Sequence, residues 1–161
     1  MSATVSTRPA SVLMWSTYVI GGIGAFIGFY TINLDPPSLT IPALLSVGAT
    51  GILSFLRHSI YNRSDAVRGG WDFGTRNNFQ VEVGLANLAW GLYAIAAVIF
   101  DWGLIALSAS FLISGAYFVF VTVFVIVTSD LKDRRIGPLI GIGAWGAVMI
   151  ALGILGVNAA G

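Results

Sequence analysis

The chain has 161 residues, of which 57% are hydrophobic and only 9% charged. An ordinary soluble domain is about one quarter charged, so this composition excludes a soluble globular protein. The formal net charge of +1 gives no reason to expect nucleic-acid binding, and the absence of cysteine excludes disulfides and thiolate metal sites.

Five apolar segments follow one another along the chain, at residues 14–33, 39–56, 79–100, 103–127 and 137–157. Each is close to the length of about 20 residues that an α-helix needs to cross a hydrocarbon core, and none contains Lys or Arg. The first twelve residues lack the cleavage site of a signal peptide, so we expect the first segment to stay in the membrane. The sequence predicts an all-α integral membrane protein, a single five-helix domain over residues 1–161.

The basic residues are distributed unevenly between the two ends of these helices. With five spans, all eight lie on the side of the N-terminus: Arg8, Arg57, Arg63, Arg68, Arg76, Lys132, Arg134 and Arg135. The short connections on the other side carry only Asp35 and Asp101. Because Lys and Arg near the ends of spans remain in the cytoplasm, we predict a cytoplasmic N-terminus and an outside C-terminus.

A polar loop over residues 58–78 is the one sizeable extramembrane segment. Ser64 could cap a short interfacial helix there, and Gly69 and Gly70 could end it. The arginines of the loop could contact lipid headgroups, but the topology rule alone requires such residues, and we favour that explanation.

The third helix carries Glu82, the one acidic residue in any predicted span. A carboxylate in a membrane suggests a functional site, with Arg57, His58 and Arg76 as possible partners at the same level. We favour a structural salt bridge that fixes the loop over a proton or cation site, because Glu82 lies near the start of the helix. Two stripes of small or polar residues on opposite faces also predict that this helix is packed on both sides, near the middle of the bundle.

Other polar side chains have structural explanations. The segment from Asn77 to Gln80 is similar to a capping box, in which Gln80 would satisfy the first amides of the helix. Asn87 lies deeper and needs a partner on helix 4, for which Ser108, Ser110, Ser114 and Tyr117 are the candidates. Three of these form a helix-packing polar stripe on helix 4: Ser110, Ser114 and Tyr117. Stripes of small residues predict close helix packing as well, on helix 1 (Gly21, Ala25, Gly28) and on helix 5 (Gly146, Gly153, Gly156).

His58 is the single histidine of the chain. Without cysteine or a nearby acidic cluster it cannot build a zinc or haem site, so we predict no metal and no cofactor. No nucleophile elbow, phosphate loop or paired carboxylates are visible. The candidate polar cluster is therefore Arg57, His58, Arg76, Gln80, Glu82 and Asn87, with no catalytic residue.

Residues 56–117 resemble a family of small, uncharacterised bacterial integral membrane proteins with a pattern RH, then GW, then FQxExGxANLxxG. The matching positions are Arg57, His58, Gly70, Trp71, Phe79, Gln80, Glu82, Gly84, Ala86, Asn87, Leu88 and Gly91. The pattern of that family continues beyond SGAY in helix 4 to a histidine that this chain lacks, which weakens any metal or proton role shared with His58. The resemblance implies a multi-pass protein of a bacterial plasma (inner) membrane and no assigned activity.

The first functional hypothesis is a non-enzymatic membrane protein that self-associates or serves as an accessory subunit, with its cytoplasmic loop anchored by Glu82. The expected partners are the lipid bilayer and another copy or another membrane subunit, and not nucleic acid. The alternative is a small transporter or channel in which Glu82 is the proton or cation site. An enzyme acting on lipid headgroups is the weakest hypothesis, since Asp65 and Asp72 are its only candidate acid and base.

Overall fold

The computed structural model describes residues 5–128 and 136–161, and the side chains of residues 5–128 and 139–161. The described residues form six helices: α1 (Arg8–Thr31), α2 (Thr40–Ile60), α3 (Asn62–Gly69), α4 (Asn78–Ile99), α5 (Gly103–Thr128) and α6 (Ile136–Ala159). All except α3 are long and apolar enough to cross a membrane, which confirms the prediction of a helical protein with five helices of spanning length. The orientation of the termini stays a prediction, and Lys132, Arg134 and Arg135 lie outside the described residues.

Two spanning helices extend beyond their apolar segments. Helix α1 begins at Arg8 rather than at Met14, with Pro9 in its first turn, where a missing N–H leaves no hydrogen bond unmade. Helix α2 continues to Ile60 rather than ending at Leu56, so Arg57 and His58 belong to its last turn. The polar residues of the loop therefore begin on a helix that also crosses the bundle.

Helix α2, and not α4, is the central helix of the bundle. In α2, 44% of the spanning residues are buried, against 17% to 28% in the other four spans. Gly24 of α1 packs directly on Ser46, and a methyl group added to Gly51 would lie 2.6 Å from the carbonyl oxygen of Asn87 in α4. Small residues on two faces of α2 thus admit α1 on one side and α4 on the other, so the prediction that places helix 3 (α4) near the middle of the bundle is wrong. Of the second stripe predicted for packing on that helix, Glu82 and Ala89 are exposed.

Two turns of α2 are π-helical, Leu44–Ala49 and Leu56–Ile60. A π-helical turn changes the angular position of the side chains that follow it, and such turns concentrate at functional sites. The second turn contains Arg57 and His58. It therefore influences the direction in which both side chains leave the end of α2.

Helices α5 and α6 pack closely along small residues. A methyl group added to Gly115 would lie 2.9 Å from the carbonyl oxygen of Gly146, and one added to Gly153 would lie 2.6 Å from Leu112. Gly21 of α1 lies against Trp145 of α6. The small-residue stripes predicted on the first and fifth spanning helices, which are α1 and α6, therefore serve packing within the chain.

The short helix α3 is tied to the beginning of α1. It ends at Gly69, and the next residue, Gly70, has a φ of 82°, the left-handed conformation that glycine adopts most easily. The amide of Trp71 then donates to the Ala66 carbonyl. Ser64 lies inside α3 and is not its cap: its hydroxyl donates to the Ser6 carbonyl at 2.7 Å and accepts from the Ala10 amide at 3.3 Å. These bonds hold α3 against the N-terminal end of the bundle.

Candidate functional site

Three helices meet at this end of the bundle. Helix α2 ends at Ile60, α3 follows at once, and α4 begins at Asn78. The side chain of Asn77 caps α4 by accepting from the Gln80 amide at 3.4 Å. The first part of the predicted capping box is therefore present, but the Gln80 side chain does not return to the cap and instead reaches α3.

Asp65 of α3 is the centre of this site, and its side chain is fully buried. One carboxylate oxygen accepts from Gln80 Nε2 at 2.8 Å and lies 2.9 Å from His58 Nδ1. The other accepts from Arg68 Nη2 at 2.9 Å, with Arg57 Nε 3.8 Å away. A buried carboxylate is stable only when hydrogen-bond donors and basic groups replace water. Here the hydrogen bonds come from α3 and α4, and the close basic side chains of Arg57 and His58 come from α2.

The neighbours of His58 determine which of its nitrogens carries the proton. Arg57 Nη2 lies 2.7 Å from His58 Nε2, and a guanidinium can only donate, so Nε2 is the acceptor. The ring proton is thereby assigned to Nδ1, the nitrogen that faces Asp65. Arg57, neutral His58 and Asp65 form one chain of polar contacts at the end of α2.

A second layer joins the loop to α4. Asn62 Nδ2 donates to Gln80 Oε1 at 3.0 Å and to the His58 carbonyl at 2.9 Å, and Asn62 Oδ1 accepts from the Asn77 amide at 3.1 Å. Asn62 and Gln80 are both buried. We call the whole set the Asp65 cluster: Arg57, His58, Asn62, Asp65, Arg68 and Gln80.

The electrostatics of the cluster keep Asp65 ionised. Burial acts to raise the pKa of the carboxyl group, but the contact with His58, the charge of Arg57 and the hydrogen bond from Arg68 together act more strongly in the opposite direction. The result is a pKa of about 2, against 3.8 for a free aspartate. An anion that is covered on all sides and holds no proton near neutral pH is suited to fixing three helices together and unsuited to accepting a proton from a substrate.

Of the six residues predicted as a polar cluster, the structure brings together Arg57, His58 and Gln80. Arg76 and Glu82 are exposed, and neither has an ion pair within the part of the chain that the structure describes. The predicted salt bridge from Glu82 to Arg57, His58 or Arg76 is therefore wrong. The salt bridge does not form because residues two apart on a helix lie on nearly opposite faces, so Glu82 points away from the face of α4 that carries Gln80.

Glu82 belongs instead to an exposed row on α4. We call this row the outer stripe; its residues are Phe79, Glu82, Leu85, Ala89 and Leu92. The opposite face of the same helix, with Gln80, Gly84, Asn87 and Gly91, is buried. The single acidic residue of the five spans thus points outward from the bundle.

A family model matches residues 36–137, which is more than half of the chain, and describes DUF6790, a family of unknown function. The chain belongs to this family. The matched residues run from the connection before α2 past the end of α5 and include the whole Asp65 cluster as well as Glu82. No curated protein and no solved structure matches the chain.

Within the family segment, the other predicted polar residues satisfy themselves locally. Asn87 Nδ2 donates to the Val83 carbonyl of its own helix, α4, at 2.7 Å. The partner predicted for it on the fourth spanning helix, which is α5, is therefore not used. Ser110 and Ser114 are buried and donate to carbonyls of Leu107 and Ser110 within α5. Tyr117 packs its ring on Trp90 of α4, with ring centroids 4.7 Å apart.

Asp65 is the residue that the sequence analysis missed as a structural centre. Hydropathy draws attention to acids inside apolar segments, and Asp65 lies between them. The available signal was helical spacing: Asn62, Asp65 and Ala66 fall on one face of a short helix, and all three are buried. A polar face with an acid, next to a loop rich in arginine, is the pattern that could have identified it.

Proposed function

We propose that this chain is a non-enzymatic, multi-pass subunit of a bacterial plasma (inner) membrane, with a cytoplasmic N-terminus, that assembles with further copies of itself through the outer stripe of α4. The observation that carries the proposal is the exposed position of Glu82, the only acidic residue of the five spans. The sequence resemblance supports the bacterial membrane, and the positions of the eight basic residues support the orientation.

A lone carboxylate on a surface that otherwise faces lipid is costly. Insertion of an ionised acid at the centre of a spanning helix costs about 2.5 to 3.5 kcal/mol, less near the ends, and the positive end of the helix dipole returns about 0.3 to 1 kcal/mol. A donor from a second subunit would remove the remaining cost. The basic residues at the N-terminal end of another copy provide such donors at the matching membrane level.

The same position bears on the transporter alternative. A proton or cation path through the interior of one chain would pass along the buried face of α4, which carries Gln80 and Asn87 rather than Glu82. An outward Glu82 supports assembly, and it would support ion handling only at an interface between copies. A different membrane protein in place of the second copy would make the chain an accessory subunit.

The proposal of a non-enzymatic role rests on the two aspartates of the loop. Asp65 is covered by its donors, and Asp72 is held by Arg63 at 2.9 Å. The hydrogen bond from Arg63 also lowers the pKa of Asp72, so both carboxylates of the described loop favour the ionised state. An acid and base pair requires one of the two to hold a proton.

The test is the change Glu82→Gln, with Asp101→Asn as the matched control. Asp101 is an exposed carboxylate at the opposite end of the bundle, outside the spans. Association of the purified chain in liposomes is measured by energy transfer between labelled copies as lipid dilutes the protein. We expect Glu82→Gln to weaken association about tenfold, the loss of one charged hydrogen bond, and Asp101→Asn to leave it unchanged.

Three outcomes separate the hypotheses. A wild-type chain that stays monomeric at every dilution would overturn self-association. Unchanged association together with the loss of a pH-dependent ion flux in Glu82→Gln would favour the transporter. If the substitution altered neither association nor flux, neither function would stand.

A further inference from the structure

An open groove lies between the beginning of α1 and the turn that joins α2 to α3. It has two adjoining parts, of about 440 Å³ and about 420 Å³. Both parts are lined by Ser6, Pro9 and Tyr61, so they form one continuous surface. Each part is large enough for a small ligand, since ligand sites occupy roughly 300 to 1,000 Å³.

Two arginines flank this groove without a partner in the described chain. Arg76 lines the first part and Arg8 lines the second, and both side chains are exposed. Neither forms an ion pair with an acid among residues 5–128 and 139–161. Arg63 also lines the first part, but its charge is matched by Asp72 at 2.9 Å. The groove therefore presents two uncompensated positive charges.

Polar side chains such as Ser6 also line the groove, but apolar surface predominates between the two arginines. Pro9, Val12 and Leu13 of α1 line the second part, and Ile60 at the end of α2 lines the first. Trp15, less than one turn further along α1 than Val12, is 62% exposed, and aromatic side chains of this kind collect at the membrane interface. Positive charges at the level of the interface, next to an apolar wall that continues along a spanning helix, match a ligand with an anionic head and an apolar tail.

We infer that the groove between the beginning of α1 and the turn that joins α2 to α3 binds the headgroup of an anionic phospholipid. The phosphate lies against Arg8 and Arg76, and the acyl chains follow α1 past Val12 and Leu13. The open shape fits a ligand that arrives sideways from the bilayer, whereas sites for soluble metabolites enclose most of the ligand. This inference goes beyond the proposed assembly and does not depend on it, since Glu82 does not line the groove.

The experiment uses the full chain purified in detergent and supplied with equal amounts of phosphatidylglycerol and phosphatidylcholine of identical acyl chains. Retained lipid is counted by native mass spectrometry. We expect a bound phosphatidylglycerol in preference to phosphatidylcholine. Each of Arg8→Gln and Arg76→Gln lowers this preference about fivefold and the double variant about 25-fold, as expected for two basic residues acting on an anionic headgroup.

The double variant Arg63→Gln with Asp72→Asn is the matched control, because it removes a paired arginine from the same groove together with the carboxylate that neutralises it. It should keep most of the preference. Equal retention of the two lipids by the wild-type chain would overturn the inference without any variant. A loss in this double variant as large as that in Arg76→Gln would also overturn it, because the preference would then not depend on the two unpaired arginines. Displacement of the lipid by excess inorganic phosphate would assign the groove to free phosphate instead.

Discussion

Asp65 and Glu82 are two carboxylates near the same end of the bundle, and their surroundings are opposite. Asp65 lies outside the spans in sequence, yet protein covers it completely and Gln80, Arg68 and His58 surround it. Glu82 lies inside a span, yet it is exposed on the outer stripe. A position within a spanning segment and coverage by protein are therefore separate properties of a carboxylate. Only coverage by protein supplies hydrogen-bond donors to it.

The largest expected effect comes from Asp65→Asn. The substitution leaves Arg57 and Arg68 facing an uncharged amide in a buried site, and breaking a buried charge pair costs about 3 to 5 kcal/mol. We expect the free energy of unfolding in mixed micelles to fall by that amount. Glu82→Gln is the control, because Glu82 has no hydrogen-bond donor within the described chain. It should change the free energy of unfolding of the monomer by less than about 0.5 kcal/mol. Equal losses from the two substitutions would contradict the contrast between these carboxylates.

The second effect is the dependence of stability on pH. The pKa of Asp65 is about 2 in the folded chain against 3.8 for the free group. A lowered carboxyl pKa stabilises the fold above the unfolded value, and this contribution is lost as the pH falls from about 4 to 2. We expect the free energy of unfolding to fall by about 2 kcal/mol over that range. A wild-type curve with the same slope as Asp65→Asn in this window would show that Asp65 is not the responsible group.

The smallest effect compares two buried amides on one face of α4. Gln80 donates to Asp65 and accepts from Asn62, whereas Asn87 donates only to Val83 of its own helix. We expect Gln80→Met to cost about 1.5 kcal/mol, the low end for a hydrogen bond to a charged group, because Asp65 keeps its other donors. Asn87→Leu should cost about 0.6 kcal/mol.

Chemical unfolding of the two variants under identical conditions measures the difference between these amides. A larger loss in Asn87→Leu than in Gln80→Met would place the important polar contact in the middle of the membrane instead of in the Asp65 cluster.

The sequence predicted much of the architecture and part of the site. Apolar length alone identified the five spans, because crossing a hydrocarbon core requires about 20 consecutive apolar residues. The small residues of helices 1 and 5 were recognised as packing surfaces for a similar reason. Arg57, His58 and Gln80 were identified as members of one cluster, but their partner was taken to be Glu82. That error arose because the predicted topology gives the depth of each charged residue in the membrane. It does not give the face of the helix on which the residue lies.

What the amino-acid sequence determined by itself is therefore the number and approximate limits of the helices that are long and apolar enough to cross a membrane, and the end of the bundle that carries the arginines of the described residues, since each depends on composition along one segment. Only the tertiary structure decided that α2 is the central helix, that Asp65 collects the polar groups of three helices, and that Glu82 faces outward. These features depend on contacts between residues distant in sequence, and two of the side chains that make them, Arg57 and His58, leave α2 from a π-helical turn, which alters their angular position.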